Sequence, residues 1–165
     1  FDRSAMAALF DALGGLDRAR RAEGAALARI LLSHVDEIER LTGLAEADPA
    51  REPAQIRARL ADQVGLLLDS AAGLDEARIY AEAAFLATKA DIREELDRLK
   101  AHVAAAREHL SGSGPAGRKL DFLSQEFIRE SNTLCSKSNA ATITRIGLEL
   151  KAVVDQFREQ VQNLE

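Results

Sequence analysis

Apolar residues return every three or four positions along almost the whole chain, and strict alternation of apolar and polar residues is absent from it. That spacing is the period of one face of an α-helix, and a strand needs a period of two. It is clearest near the end, where Ile143, Ile146, Leu150, Val153, Phe157, Val161 and Leu164 form a single stripe. Such a stripe is a packing seam, against another helix or another subunit. The rest of the chain divides at its helix breakers. The spacing predicts a short helix over Arg3 to Leu13, interrupted by Gly14 and Gly15, then a second from Leu16 to Leu44 with Leu27, Ile30, Leu31, Val35, Ile38 and Leu41 on one side. Pro49 and Pro53 mark a turn, and a third helix follows to about Ala72. Asp75 to His109 lacks Gly and Pro and reads as one long helix, ended by the Gly/Ser segment Ser111 to Gly117. A fifth helix is predicted over Arg118 to Ser136, and a sixth over Ala140 to Gln162 with Ser138 or Asn139 as its N-cap.

The fold class expected is all-α, with antiparallel long helices in a bundle or coiled-coil-like hairpins and the C-terminal helix as the packing seam. Composition agrees: aromatics make up only 4% of the 165 residues, Trp is absent, and the helix formers Ala, Leu, Glu and Arg dominate. Two regions are expected, a helical hairpin region over 1–74 and a helical catalytic region over 75–165. The apolar runs all fall short of the roughly 20 residues that span a bilayer, and the first residues lack the pattern of a signal peptide, so a cytoplasmic protein is expected. The single cysteine, Cys135, has no internal disulfide partner and no surrounding nucleophile motif, and reads as a packing residue. A net charge of −5 argues against a uniformly basic nucleic-acid-coating surface and leaves room for a local basic patch or a carboxylate site that holds a metal.

The chemistry-bearing residues lie on two helical stretches. At about 100° per residue, Asp91, Glu95, Arg98 and His102 fall within about 60° of one another. They border the apolar stripe of Phe85, Ile92, Leu96, Leu99, Val103 and Leu110, while Lys89, Arg93 and Lys100 occupy another face. Carboxylate and imidazole suit a divalent ion such as Mn²⁺ or Mg²⁺. The competing reading is a salt-bridged face, with Arg98 paired to Asp91, Glu94 or Glu95. The second stretch is QEFIRESNT, in which Glu126 and Glu130 stand one turn apart beside Gln125, Arg129 and Asn132. Arg118, Lys119 and Lys137 are cations able to reach phosphate oxygens. His34 and His109 lie apart from the acid clusters and read as solvent-facing or capping residues.

Three long words carry a resemblance: IYAEAAFLATKADIREELDRLKAH from Ile79, GRKLDFLSQEFIRESNTLCSKS from Gly117, and REQVQNLE from Arg158 to the end. They are similar to the hallmark blocks of the YicC/YloC family, and RRAEGAALARIL, with Glu23 and Gly24, resembles its upstream Glu-Gly block. The resemblance implies a hexameric endoribonuclease that encloses RNA and needs a divalent metal, with Mn²⁺ expected first. It also implies an N-terminal domain with β structure, which nothing in this chain matches, so the chain is expected to represent the C-terminal part. Asp91, Glu94, Glu95, Arg98 and His102 match the family's acid and histidine block. Gln125, Glu126, Arg129, Glu130, Asn132 and Thr133 match its second word. Phe127, Ile128 and Cys135 depart from the family's usual residues, a matter of packing.

The activity expected from these residues together is hydrolysis of an RNA phosphodiester by a metal-activated water. Asp91, Glu95, His102, Glu126 and Glu130 are the candidate metal ligands, with His102, Glu126 and Glu130 as the candidate catalytic groups. Arg98, Lys119, Arg129, Asn132 and Lys137 are the candidate RNA contacts. The alternative is a non-catalytic RNA-binding or adaptor module, which would keep the seam and the cations without requiring the acids.

Overall fold

The computed structural model describes residues 3–70, 76–89, 91–112, 114–138 and 140–164. Among them the chain is all-α, with no strand: α1 (Arg3–Glu46), a 3-10 turn (Pro49–Arg51), α2 (Pro53–Ser70), α3 (Glu76–Lys89), α4 (Arg93–Ser111), α5 (Gly117–Lys137) and α6 (Ala141–Gln162). The end expected for the third helix, Ala72, and the start expected for the fourth, Asp75, lie outside the described residues.

Two boundaries differ from expectation. Gly14 and Gly15 do not interrupt α1, which runs unbroken for 44 residues. Two glycines cost a helix about 2 kcal/mol against alanine, which the good helix formers on both sides offset. The long helix expected over Asp75 to His109 is instead two helices, with Asp91 and Ile92 between them. Asp91 Oδ1 accepts a hydrogen bond from the Arg93 backbone N–H at 2.9 Å, which satisfies one free donor of the first turn of α4. Ile92 turns inward and is buried. Glu94 and Glu95 then sit where the helix dipole favours negative charge.

α1, α4, α5 and α6 pack as a four-helix bundle in which each helix touches two neighbours, in the order α1, α4, α5, α6 and back to α1. Neighbours run antiparallel. Lys100 meets Glu46, whereas Arg107 meets Asp36 and Glu39, so α4 descends α1 as its numbering rises. Arg98 with Glu130 and Lys137 with Glu95 give the same sense for α4 and α5. The core joins Leu31, Val35, Ile38 and Leu41 of α1 to Leu96, Leu99, Val103, Leu120, Phe127, Leu134, Leu150 and Phe157.

The α6 seam is buried as expected at Ile143, Ile146, Leu150, Phe157 and Val161, with Val153 and Leu164 partly covered and Val154 added to it. α5 approaches α6 closely at Gly147, where a Cβ would lie 2.5 Å from Cys135 Sγ. Cys135 is thus a packing residue, and burial pushes its thiol pKa up. Ser138 closes α5 as its C-cap instead of opening α6, whose N-cap is Ala140; Asn139 lies outside the described residues. α2 and α3 pair with each other. Phe85 of α3 is exposed, so the apolar stripe of the expected long helix enters the core only from Ile92 onward. No described helix is long and apolar enough to cross a membrane.

Candidate metal and RNA site

The groove between α4 and α5 carries most of the polar residues singled out above. Because the helices are antiparallel, residues with rising numbers on α4 meet falling numbers on α5, and three steps line up along the groove. At the end nearest the α4 N-terminus, Lys137 Nζ lies 2.8 Å from Glu95 Oε1 and 3.3 Å from the Asp91 carbonyl oxygen. About a turn further on, Arg98 Nη1 donates to Glu130 Oε1 at 3.3 Å while its Nη2 pairs closely with Glu94. A further turn along stand His102, Glu126 and Glu130, each offering a ligand atom, all within 4.8 Å of one another.

Burial makes this groove unusual. Glu95 and Glu130 are 3% and 1% exposed, values at which a carboxylate requires a cation or several donors. Each has one, Lys137 and Arg98 respectively. Glu95 Oε2 and His102 Nε2 are also buried, and neither has a hydrogen-bond partner. The His102 ring is set edge-on against Phe127 at 5.9 Å, and Phe127 in turn stacks edge-on with Phe157 at 5.7 Å. The imidazole is therefore oriented by the aromatic core, and one of its nitrogens lies within 4.8 Å of a carboxylate oxygen of Glu126 and of Glu130. The hydrogen bond to Glu130, followed by the charges of Glu94, Glu130 and Glu95, raises the Arg98 pKa further above its usual range.

The sequence-derived candidates separate in space. His102, Glu126 and Glu130 come together. Glu95 faces the same groove but is held by Lys137, and Asp91 accepts from the Arg93 backbone N–H at the start of α4. Arg129 is exposed, 3.9 Å from Glu126 at the rim. Lys119 is exposed and shares the Glu126 face two turns away, about 10 Å along the axis. Asn132 is exposed about 120° round α5 from Glu126, outside the groove. The expected pairing of Glu94 with Arg98 is present. The cross-helix contacts of Arg98 and Lys137 with buried acids were not in the sequence reading, since one helix's wheel says nothing about its partner's register. His34 departs from its solvent-facing expectation: its Nδ1 is buried without a partner, and burial lowers its pKa.

One imidazole and two carboxylates, with a buried imidazole nitrogen lacking any donor or acceptor, fit a borderline-hard divalent ion. Comparison with known proteins bears on the family of the chain. Residues 45–165 match the family described as Endoribonuclease YicC-like, C-terminal. The chain belongs to that family. It is similar to "Probable endoribonuclease YicC" of Haemophilus influenzae, 41% identical over 148 residues, a match covering 88% of this chain and 50% of that protein. It is also similar to the protein of the same description from Clostridioides difficile, 36% identical over 165 residues, covering 96% of this chain and 54% of the relative. The chain thus spans about half the length of these YicC-like relatives.

Proposed function

We propose that this YicC-like chain is the helical catalytic part of a metal-dependent endoribonuclease that hydrolyses RNA phosphodiester bonds. The observation that carries the proposal is the convergence of His102, Glu126 and Glu130 beside the buried, unpartnered His102 Nε2. His102, Glu126 and Glu130 would hold the ion, with Mn²⁺ favoured over Mg²⁺ by the imidazole ligand. When bound, it would supply Lewis acidity toward a phosphate oxygen and ease deprotonation of a water. Glu126, whose side chain is 23% exposed, would accept the proton of the attacking water. Arg98, in the groove beside α4, and the exposed Arg129 and Lys119 of α5 would supply phosphate contacts; Lys137 extends the cationic edge toward the α4 N-terminus.

The same reading includes assembly of copies in the cytoplasm into a homo-oligomer, a hexamer by family resemblance, around the RNA. In support, Leu9, Phe10, Leu13 and Leu16 on the first turns of α1 are 52–65% exposed and continue the stripe that is buried further along the helix. The test is cleavage of a structured RNA by the full-length protein with Mn²⁺, with Mg²⁺ and with EDTA. Activity restored by Mn²⁺ and lost in His102→Ala and Glu126→Gln, at unchanged helicity, is the expected result. Wild-type rates in both variants would favour the RNA-binding adaptor instead.

A further inference from the structure

Arg98 touches two acids, and the two contacts are unequal. Its Nη2 pairs closely with Glu94, one turn back on the same helix and 66% exposed. Its Nη1 reaches Glu130 across the groove at 3.3 Å, the long end of a hydrogen bond. Glu130 belongs to the three-residue cluster, whereas Glu94 does not. Lys137 is placed differently, because its acid, Glu95, lies outside the cluster.

We propose that Arg98 and the divalent ion compete for Glu130, so that metal loading passes the Arg98 guanidinium from that carboxylate to a phosphate oxygen of the RNA. The inference rests on the metal reading above and makes the phosphate contact of Arg98 depend on the ion. A doubly charged ion on Glu130 sets a like charge beside the half-exposed guanidinium and takes up the carboxylate oxygens that the guanidinium would otherwise hold. Leaving Glu130 gives up only the longer of two contacts. Glu94 keeps the side chain tethered at the rim, and the Arg98 side chain, 45% exposed, has room to turn. It turns into an open groove of about 650 Å³ lined also by Asp91, Arg93, Glu94, Asp97 and Lys137. A guanidinium has five donors in a planar fork suited to phosphate, so the freed edge is ready for a bidentate contact. Metal binding and phosphate binding are then coupled through one side chain: the ion uncovers the donor that grips the substrate.

The test is Mn²⁺ binding to the full-length protein without RNA, followed by electron paramagnetic resonance at pH 8, where carboxylates are ionised. Arg98→Met removes the competitor and is expected to tighten Mn²⁺ binding about tenfold. Arg98→Gln is read beside it, so that a folding defect in one variant does not decide the result. Arg93→Met removes the same charge from the same groove without touching the cluster, and is expected to change affinity by less than about twofold. Unchanged or weaker binding in both Arg98 variants, with wild-type binding intact, overturns the competition alone. Equal tightening in Arg93→Met overturns it as well, since general charge repulsion would then suffice. Absence of binding in wild type and variants alike overturns the metal reading and this proposal together.

Discussion

The two seams that meet at α5 are built on opposite principles. Toward α6, α5 presents Leu134 and Phe127 to an apolar stripe, and the helices close to contact at Gly147. Toward α4 it presents Glu126, Glu130 and Lys137, and the facing side holds Glu95, Arg98 and His102. Apolar burial is worth about 25 cal/mol for each Å² removed from water, so the α6 seam stabilises the fold outright. Buried ion pairs roughly break even against apolar residues of similar volume, so the ion pairs of the α4 seam add little net stability. A bundle needs seams of the first kind only. Retaining the second kind, with Glu95 Oε2 and His102 Nε2 left unpartnered, supports the proposal that this seam serves a function other than stability.

This contrast is open to attack by substitution. The largest effect belongs to the apolar seam: Phe157→Ala should destabilise the protein by about 3–5 kcal/mol in chemical denaturation. A loss under 1 kcal/mol would mean that α6 contributes little to the core. Next comes Lys137→Met, which leaves the buried Glu95 carboxylate without its cation and should cost about 1–3 kcal/mol. A neutral result would show that Glu95 finds water and that the seam is wetter than its exposure implies.

His34→Leu should be smaller and of opposite sign. Burial lowers the His34 pKa, so between its folded and unfolded values the unfolded chain binds more protons. Stability therefore falls as pH drops through 6.5, the unfolded value. Leucine removes both that penalty and an unpartnered buried nitrogen, so stability at pH 5.5 should rise by about 1 kcal/mol and the decline between pH 7.5 and 5.5 should flatten. An unchanged decline would assign it to other groups. Smallest is Lys119→Ala, expected to alter stability by less than about 0.5 kcal/mol while weakening RNA binding and lowering its salt slope by about one. An unaltered salt slope would remove Lys119 from the RNA path.

The apolar seam was legible in the sequence because a helix stripe of Ile143 to Val161 has one reading wherever its partner comes from. The polar residues were legible as faces, with Asp91, Glu95, Arg98 and His102 on one side of α4 and Glu126 and Glu130 on one side of α5. Which of them meet depends on the register of two helices, and no wheel contains that. The break before α4 was missed because Phe85 and Ile92 keep helical spacing across it. Its signal was Asp91 followed three residues later by Glu94, a helix-start pattern that the absence of Gly and Pro masked. Burial of His34 escaped as well, since it stands one residue from Val35, where the edge of the stripe and solvent are not told apart by spacing.

We propose that the polar seam holds a metal while the apolar seam holds the fold. Thermal unfolding of the full-length protein, with and without Mn²⁺, tests it most directly in wild type, His102→Ala and Glu126→Ala. A ligand that binds only the folded state adds about 2.7 kcal/mol of stability at a hundred times its Kd. The account predicts that Mn²⁺ raises the wild-type Tm, that both variants keep their metal-free Tm within a few degrees of wild type, and that both lose the Mn²⁺-dependent rise. A full Mn²⁺-dependent rise persisting in both variants would contradict it.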